Sequence, residues 1–201
     1  MKFIELGKEA LQMRAILFVL VLTTCINQSA FASPQKFKVG DDEFTIDVPK
    51  GWQVQRDFFF PVGLVSPDNK EDQRTVIGIT PAGAADDQGV FENANKDLKP
   101  FIEGREEWLA NNDGKSISYD PYEKMKWKGI EAAHVLGYRY ELPSGKFYSR
   151  SFYILCNGAR FIHFKTLVHE KLENEHNALV DRTIKSFQCT QKSVALNGSP
   201  R

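Results

Sequence analysis

The stretch IEAAHVLGYRYELPSGKFYSRSFYILC, from Ile130 to Cys156, predicts two long strands joined by a tight turn. Both arms are rich in aromatic and β-branched side chains, which favour strands, and Pro143-Ser144-Gly145 separates them. We interpret the separator as a three-residue loop with Gly145 in the left-handed conformation, so that Leu142 faces Lys146. The same register gives three further pairs, which are Leu136 with Phe152, His134 with Ile154, and Tyr140 with Tyr148.

This hairpin belongs to a predicted antiparallel meander of four strands over residues 115–168. The other turns are Lys128-Gly129 and Asn157-Gly158, and Asn-Gly favours a two-residue connection. Across that second turn we expect Ile154 to meet Phe161.

Shorter elements flank the meander. They are the strands Lys36–Val39, Glu43–Val48, Trp52–Arg56, Val62–Ser66 and Arg74–Thr80, a loop over Pro81–Gly89, a helix with apolar positions from Phe91 to Leu109, a helix from His169 to Thr183, and a strand from Ile184 to Cys189. An alternative divides the first helix into two pieces, the second beginning near Pro100. The pattern predicts an α+β fold, an antiparallel β-sheet with packed helices, as one domain over residues 33–189. The tail over residues 190–201 is predicted to be disordered.

Composition and charge bound the classes of partner. The chain has 201 residues, with 26 basic and 26 acidic side chains, 42% apolar residues and 12% aromatic residues. This is the profile of one soluble globular domain. Binding of nucleic acid or of an anionic membrane normally needs clustered Lys and Arg, so we expect no nucleic acid partner.

The N-terminus, residues 1–32, has the pattern of a secretory signal peptide. An apolar run from Ala15 to Leu22 follows Arg14, and Ala30-Phe31-Ala32 forms an A-x-A cleavage site before Ser33. The run is shorter than the roughly 20 residues that cross a bilayer, so no transmembrane segment is expected in the mature chain.

Two details of this region leave alternatives open. Glu5 and Glu9 lie where a signal peptide is normally positive, which favours translation from Met13. Leu22-Thr23-Thr24-Cys25 approximates a lipobox, so lipidation at Cys25 is the alternative to cleavage after Ala32. Thr24 stands where a lipobox has Gly, Ala or Ser, which favours ordinary cleavage and a periplasmic or secreted protein.

Cleavage leaves two cysteines, Cys156 and Cys189. An even pair in an oxidising compartment predicts a disulfide, and two buried free thiols are the alternative. The bond would close a loop of about 32 residues and stabilise the fold by about 3–4 kcal/mol on the chain-entropy view.

Two motifs carry a family resemblance. The first is F-x-I-x-x-P-x-G-W, formed by Phe44, Ile46, Pro49, Gly51 and Trp52, and the second is D-R-T-I-K-S-F from Asp181 to Phe187. With the aromatic meander between them, they resemble the PsbP-like and DcrB-like families of α/β-sandwich proteins. The resemblance implies an exported accessory or binding protein without a shared catalytic constellation. It carries over no site residues, and fold likeness alone does not assign function.

Three side chains near the last helix are candidate metal ligands. His169, Glu173 and His176 fall at i, i+4 and i+7 of the predicted helix, and two imidazoles with a carboxylate can bind zinc. The spacing is not the H-E-x-x-H of metalloproteases, and Leu172 and Leu179 mark a buried stripe beside both histidines. Packing at the rim of the core is therefore the favoured interpretation, and no metal or cofactor is predicted.

Two further histidines, His134 and His163, should lie on one face of the sheet about 10 Å apart, too far for shared ligation. The sequence contains no G-x-S-x-G motif and no phosphate loop, so no catalytic or cofactor-binding residue is predicted.

The candidate partner surface is Phe58-Phe59-Phe60, followed by Pro61 and by the acidic pair Asp86-Asp87 in the later loop. Three consecutive Phe residues cannot all face one side of a strand, so at least one is expected to be exposed or to cover a loop. A hydrophobic lid over the sheet is the alternative to a binding patch.

The sequence therefore favours an exported, non-enzymatic accessory or binding protein of the cell envelope, whose partner is an envelope protein or a small apolar ligand. An envelope enzyme, such as a metal-dependent hydrolase, and a carrier of a small apolar ligand are the alternatives.

Overall fold

The structure is a computed structural model that describes residues 31–67, 73–84, 97–156 and 160–190. From Ala32 onwards these residues belong to one compact unit. The elements are β1 (Phe31–Val39), β2 (Asp42–Pro49), β3 (Gln53–Arg56), β4 (Val62–Val65), β5 (Val76–Ala84), α1 (Lys99–Ala110), β6 (Lys115–Tyr119), β7 (Glu123–Trp127), β8 (Ile130–Leu142), β9 (Gly145–Cys156), β10 (Arg160–His169), a 3-10 turn (Glu170–Leu172), α2 (Glu173–Lys185) and β11 (Gln188–Cys189). The predicted α+β class is confirmed.

The strands form two sheets. The large sheet has the order β3-β4-β5-β10-β9-β8-β6, and β7 pairs with β8 beside β6. The small sheet has the order β1-β2-β11. The strand pairs of the large sheet are antiparallel.

The two faces of the large sheet are covered differently. The core face packs on the small sheet and α2, and its cluster joins Phe44 and Ile46 of β2 and Val180 of α2 to Phe152 and Phe164 of the large sheet. Burying aromatic and aliphatic side chains in this way is the main source of stability. The opposite face, called the α1 face below, carries a smaller cluster in which Leu109 of α1 packs on Tyr138, Tyr140 and Phe147.

A disulfide joins the two sheets. Cys156 at the end of β9 is bonded to Cys189 in β11, as predicted, with their Cα atoms 5.7 Å apart. A turn at Pro49-Lys50-Gly51 separates β2 from β3, where the Trp52 amide donates to the Pro49 carbonyl and Gly51 adopts φ 83°.

The predicted register of the central hairpin is wrong by one residue. Leu142 pairs with Gly145, and Tyr140 pairs with Phe147 rather than Tyr148. The turn is therefore the two residues Pro143 and Ser144, and Gly145 is needed both for its φ of 142° and because a Cβ there would lie 2.6 Å from Nε2 of His169. The predicted pairs of Leu136 with Phe152 and of His134 with Ile154 are wrong for the same reason.

The register across the next turn is wrong as well. Ile154 pairs with Ile162, not with Phe161, and residues 157–159 of the turn lie outside the described residues. The two predicted registers are each wrong by one residue, and they shift the pairing in opposite directions along the strands. His134 and His163 therefore still share one face, in a row with Tyr153 between them.

Several boundaries also differ from the prediction. The first strand of the meander is two strands, β6 and β7, because Pro121 lacks the N–H that a ladder needs. The expected loop at Pro81 is still part of β5, where Pro81 lies at a register shift against β10. Residues 85–96, which contain Asp86, Asp87 and the first part of the predicted helix, lie outside the described residues. The second part of that helix begins as predicted, with Pro100 in its first turn.

The last helix begins later than predicted. His169 ends β10, and α2 runs from Glu173 to Lys185, two residues past Thr183. The closing strand is reduced to Gln188 and Cys189, because Ile184 and Lys185 remain helical.

Candidate binding site

Five residues, Asp57 to Pro61, connect β3 to β4 and carry the three consecutive phenylalanines. The loop is closed by the Asp57 amide, which donates to the Pro61 carbonyl at 3.4 Å, and Asp57 itself has φ 52°. Phe58 and Phe59 are 71% and 82% exposed, and their ring centroids lie 4.4 Å apart in an edge-on arrangement. This exposed aromatic pair is the reason why the loop remains the candidate interaction surface.

Phe60 points the other way, onto the sheet. A Cβ at Gly78 would lie 2.5 Å from carbons of the Phe60 ring, so the ring occupies the space that a side chain would fill. Gly63 is the cross-strand partner of Gly78. Two adjacent strands therefore present a flat surface under the ring. Phe60 covers the sheet there, as in the hydrophobic lid that was the alternative to a binding patch.

An open groove lies beside this loop. It has a volume of about 530 Å³ and is lined by Gln55, Phe58, Phe59, Phe60, Gly63, Val65, Arg74 and Val76. Gly63 and the cross-strand pair of Val65 with Val76 place the floor on β4 and β5. Small-molecule sites have this size and this mainly apolar wall with a few polar groups.

Arg74 is the only charged side chain among the described residues that line the groove. Its Nε is buried and lacks a hydrogen-bond partner. A buried guanidinium nitrogen that has lost water and gained no acceptor is destabilising. The local sequence does not indicate that Arg74 lines a groove, because the groove forms only where β3, β4 and β5 pair.

A second polar region lies on the same face of the sheet. Lys165 stands opposite Gly78 on β10, and the rings of Tyr153 and His163 stack in parallel with centroids 4.4 Å apart. Burial, followed by the nearby charges of Lys165 and Arg105, lowers the pKa of His163 to about 4. Burial and Arg105 likewise lower the pKa of Lys165.

A smaller cavity of about 150 Å³ opens on the core face beside Tyr148. The Tyr148 hydroxyl donates to Oδ2 of Asp120 at 2.7 Å. Nη2 of Arg150 lies 2.7 Å from Oδ1 of Asp181, an ion pair whose angles do not meet those of a hydrogen bond. Because these groups already pair with each other and tie α2 to the sheet, we assign the cavity a structural role.

The candidate metal ligands do not converge. His169 ends β10, where its ring packs edge-on against Phe147 and its Nδ1 accepts from the Lys171 amide. Glu173 is paired with Arg139. The helical premise of the i, i+4, i+7 spacing was wrong, because His169 is not in the helix.

His176 is buried elsewhere. Its Nδ1 shares a 2.7 Å hydrogen bond with Thr75 Oγ1, and its ring packs against Trp52. Nowhere in the described ranges do three His, Cys, Asp or Glu side chains come together as a metal site requires. His134 also packs within the sheet, hydrogen-bonded through Nδ1 to the Tyr122 hydroxyl and edge-on to Phe161.

Comparison with known proteins identifies the fold. No protein-family model matches the chain, and no curated protein matches it. LpqN of Mycobacterium tuberculosis, involved in cell envelope biogenesis, is 16% identical with a TM-score of 0.55, covering 80% of this chain and 93% of LpqN. The cyanobacterial PsbP, CyanoP, of Synechocystis sp. PCC 6803 is 16% identical with a TM-score of 0.52, covering 82% of this chain and 96% of CyanoP. The chain therefore has the PsbP-like fold that the sequence motifs suggested.

Proposed function

We propose that this chain is an exported, non-catalytic binding protein of the cell envelope, and that it binds an apolar ligand in the groove beside Phe58–Phe60. The observation that carries this proposal is the groove itself, about 530 Å³ in volume and walled by three phenylalanines and two valines. Phe60 covers Gly78 and so leaves a preformed apolar shelf, which lowers the ordering that a ligand must impose.

Three observations support export. The N-terminal segment ends in Ala30-Phe31-Ala32, an expected signal-peptidase site. The disulfide between Cys156 and Cys189 is typical of an oxidising compartment. LpqN, which shares the fold, is involved in cell envelope biogenesis. The described residues contain no helix long and apolar enough to cross a bilayer.

N-terminal sequencing of the protein from the envelope fraction should give Ser33 as the first residue, and retention of Glu9 or lipidation at Cys25 would contradict this processing.

Binding of an uncharged apolar probe tests the groove. N-phenyl-1-naphthylamine should bind the purified chain with a rise in fluorescence, and Phe59→Asp should weaken that binding because it places a charge at the groove wall. Phe59 is 82% exposed, so the substitution leaves the core intact. Ile117→Asp is the matched control, since Ile117 is 50% exposed on β6 and does not line the groove. Absence of binding to the wild-type chain, or equal weakening in both variants, would contradict the proposal.

The exposed pair of rings favours a second function, docking onto an envelope protein. Phe58 and Phe59 line the groove but are 71% and 82% exposed, and aromatic groups are common anchors of protein interfaces. A photo-crosslinking amino acid at position 59 should then give one defined adduct in cells, and the same group at position 117 should give none. Adducts at both positions, or at neither, would exclude docking through these rings.

A further inference from the structure

We infer that the ligand of the groove is a single-chain amphiphile with one negative charge, a long-chain fatty acid whose carboxylate pairs with Arg74. This inference rests on the proposed apolar groove and specifies the chemical class of its ligand. It identifies Arg74 as the residue that selects an acid over a neutral molecule of the same length.

The state of Arg74 carries the inference. Its Nε is buried without a hydrogen-bond partner, and the described residues offer it no ion pair, while the rest of the groove wall is uncharged. A buried Nε that has lost water and gained no acceptor is destabilising, while the rest of this half-buried side chain keeps its own exposure. A carboxylate would supply two oxygens that match the planar fork of the guanidinium, so binding would satisfy the donor that folding leaves unsatisfied.

The number of charges favours a carboxylate over a phosphate. Arg74 alone provides positive charge among the described groove residues, which matches one monoanion. Lys165 lies on the same face, but it stands on β10 beyond Gly78, does not line the groove and is half-buried. A doubly charged phosphate monoester would leave a negative charge without a partner against an apolar wall.

The size and shape of the groove favour a single chain. Its volume of about 530 Å³ lies within the roughly 300–1,000 Å³ of small-molecule sites, which is large enough for one alkyl chain. Gly63 and the cross-strand pair of Val65 and Val76 form a floor without bulky side chains, and the ring of Phe60, which covers Gly78, is part of the wall. An alkyl chain can lie on such a floor in van der Waals contact with it.

The test compares two ligands that share a chain and differ in charge. Dodecanoate and dodecanol, both below the concentration at which they aggregate, are used to displace N-phenyl-1-naphthylamine from the wild-type chain at pH 7. We expect dodecanoate to bind about tenfold or more tightly than dodecanol, because a charge-assisted hydrogen-bonded pair forms only with the acid. Equal affinities would overturn the inference while leaving the apolar groove intact, whereas no binding of any ligand or probe would overturn the proposed function itself.

Substitutions of Arg74 and Lys165 test which cation pairs with the carboxylate of the ligand. Arg74→Gln should bind dodecanol as the wild type does and lose the preference for dodecanoate, and Arg74→Lys should keep part of it. Lys165→Gln is the matched control, a half-buried cation on the same face outside the groove, and it should keep the preference. A preference lost equally in Arg74→Gln and Lys165→Gln, or retained in Arg74→Gln, would overturn the assignment to Arg74. Dodecyl phosphate that binds more tightly than dodecanoate would show that the headgroup is a phosphate and would also overturn it.

Discussion

At Gly78 the missing side chain is what allows Phe60 to lie on the sheet. In Gly78→Ala the new methyl group would stand 2.5 Å from the ring, so Phe60 must leave its position and uncover the shelf. Overpacking of this kind costs about 1–3 kcal/mol. We expect a lower free energy of unfolding in denaturant and weaker binding of N-phenyl-1-naphthylamine.

Gly104→Ala is the control for that substitution. Gly104 lies inside α1, and a methyl group added there would have nothing within 4 Å, so alanine should stabilise the helix by about 0.5–1 kcal/mol and leave probe binding unchanged. Unchanged stability and binding in Gly78→Ala would mean that Phe60 does not lie over Gly78.

His163 should make the fold sensitive to acid. Burial and the charges of Lys165 and Arg105 lower its pKa from 6.5 to about 4, so the folded chain binds a proton less readily than the unfolded chain. The contribution of neutral His163 is therefore fully present above pH 6.5 and is lost as the pH falls from about 6.5 to 4, by an amount of order 1–3 kcal/mol. This loss is measured by denaturant unfolding of the wild type and of His163→Gln, each at pH 7 and at pH 4.5. The variant should lose less stability on acidification, and an equal loss would assign the acid sensitivity to other groups.

The disulfide holds β11, an element of two residues, against the rest of the chain. Replacing Cys156 and Cys189 together by alanine releases a loop of about 32 residues and should cost about 3–4 kcal/mol. For a chain of this length that corresponds to a fall of roughly 10 °C in Tm, measured by thermal unfolding. A reductant should lower the Tm of the wild type and leave that of the double variant unchanged. A reductant effect of the same size in both would show that it acts elsewhere.

The hairpin at Pro143-Ser144-Gly145 shows where sequence reasoning about an element reaches its limit. The two strands, their antiparallel pairing and their aromatic character were predictable, because they follow from local patterns. The register was not, since the local pattern does not show that Gly145 pairs directly with Leu142, has φ 142° and lies against His169, 24 residues later. A one-residue slip exchanges the two faces of a strand relative to its neighbour, so the predicted Leu136–Phe152 pair is replaced by Leu136 with Ser151.

The helical spacing assumed for the candidate metal ligands was wrong for a related reason. The spacing of His169, Glu173 and His176 has meaning only if all three lie on one helix, and β10 extends through His169. The boundary between that strand and α2 is set by the pairing of His169 with Phe147 across the sheet, which the local sequence does not show.

Across the whole molecule, the α+β class, the PsbP-like fold and the cysteine pair were predictable. Each rests on a pattern local in sequence or on a count of residues. The groove was not predictable, because Arg74, Gly63 and Val76 come together only through the pairing of β4 with β5. The run of phenylalanines pointed to the right loop, while the charge that makes the site selective had no sequence signal.

The two layers on either side of the large sheet should differ in stability. α1 buries one residue, Leu109, whereas α2 buries His176, Val180, Thr183 and Ile184. Local opening requires less free energy where fewer apolar contacts are lost. Hydrogen exchange followed by mass spectrometry should therefore show faster exchange for amides of α1 than for amides of α2. Equal protection of the two helices would mean that α1 opens only with the whole domain.

The disulfide closes the chain between Cys156 and Cys189 into a loop. A mechanical force applied at the N- and C-termini of the protein therefore cannot extend that loop. Pulling on a single molecule would lengthen the chain on either side of the bond, while the 33 peptide steps that separate the two cysteines stay slack. Reduction would release this hidden length, roughly 110 Å at the extension of a fully stretched chain. The bond would therefore limit how far the segment from Cys156 to Cys189 can be stretched.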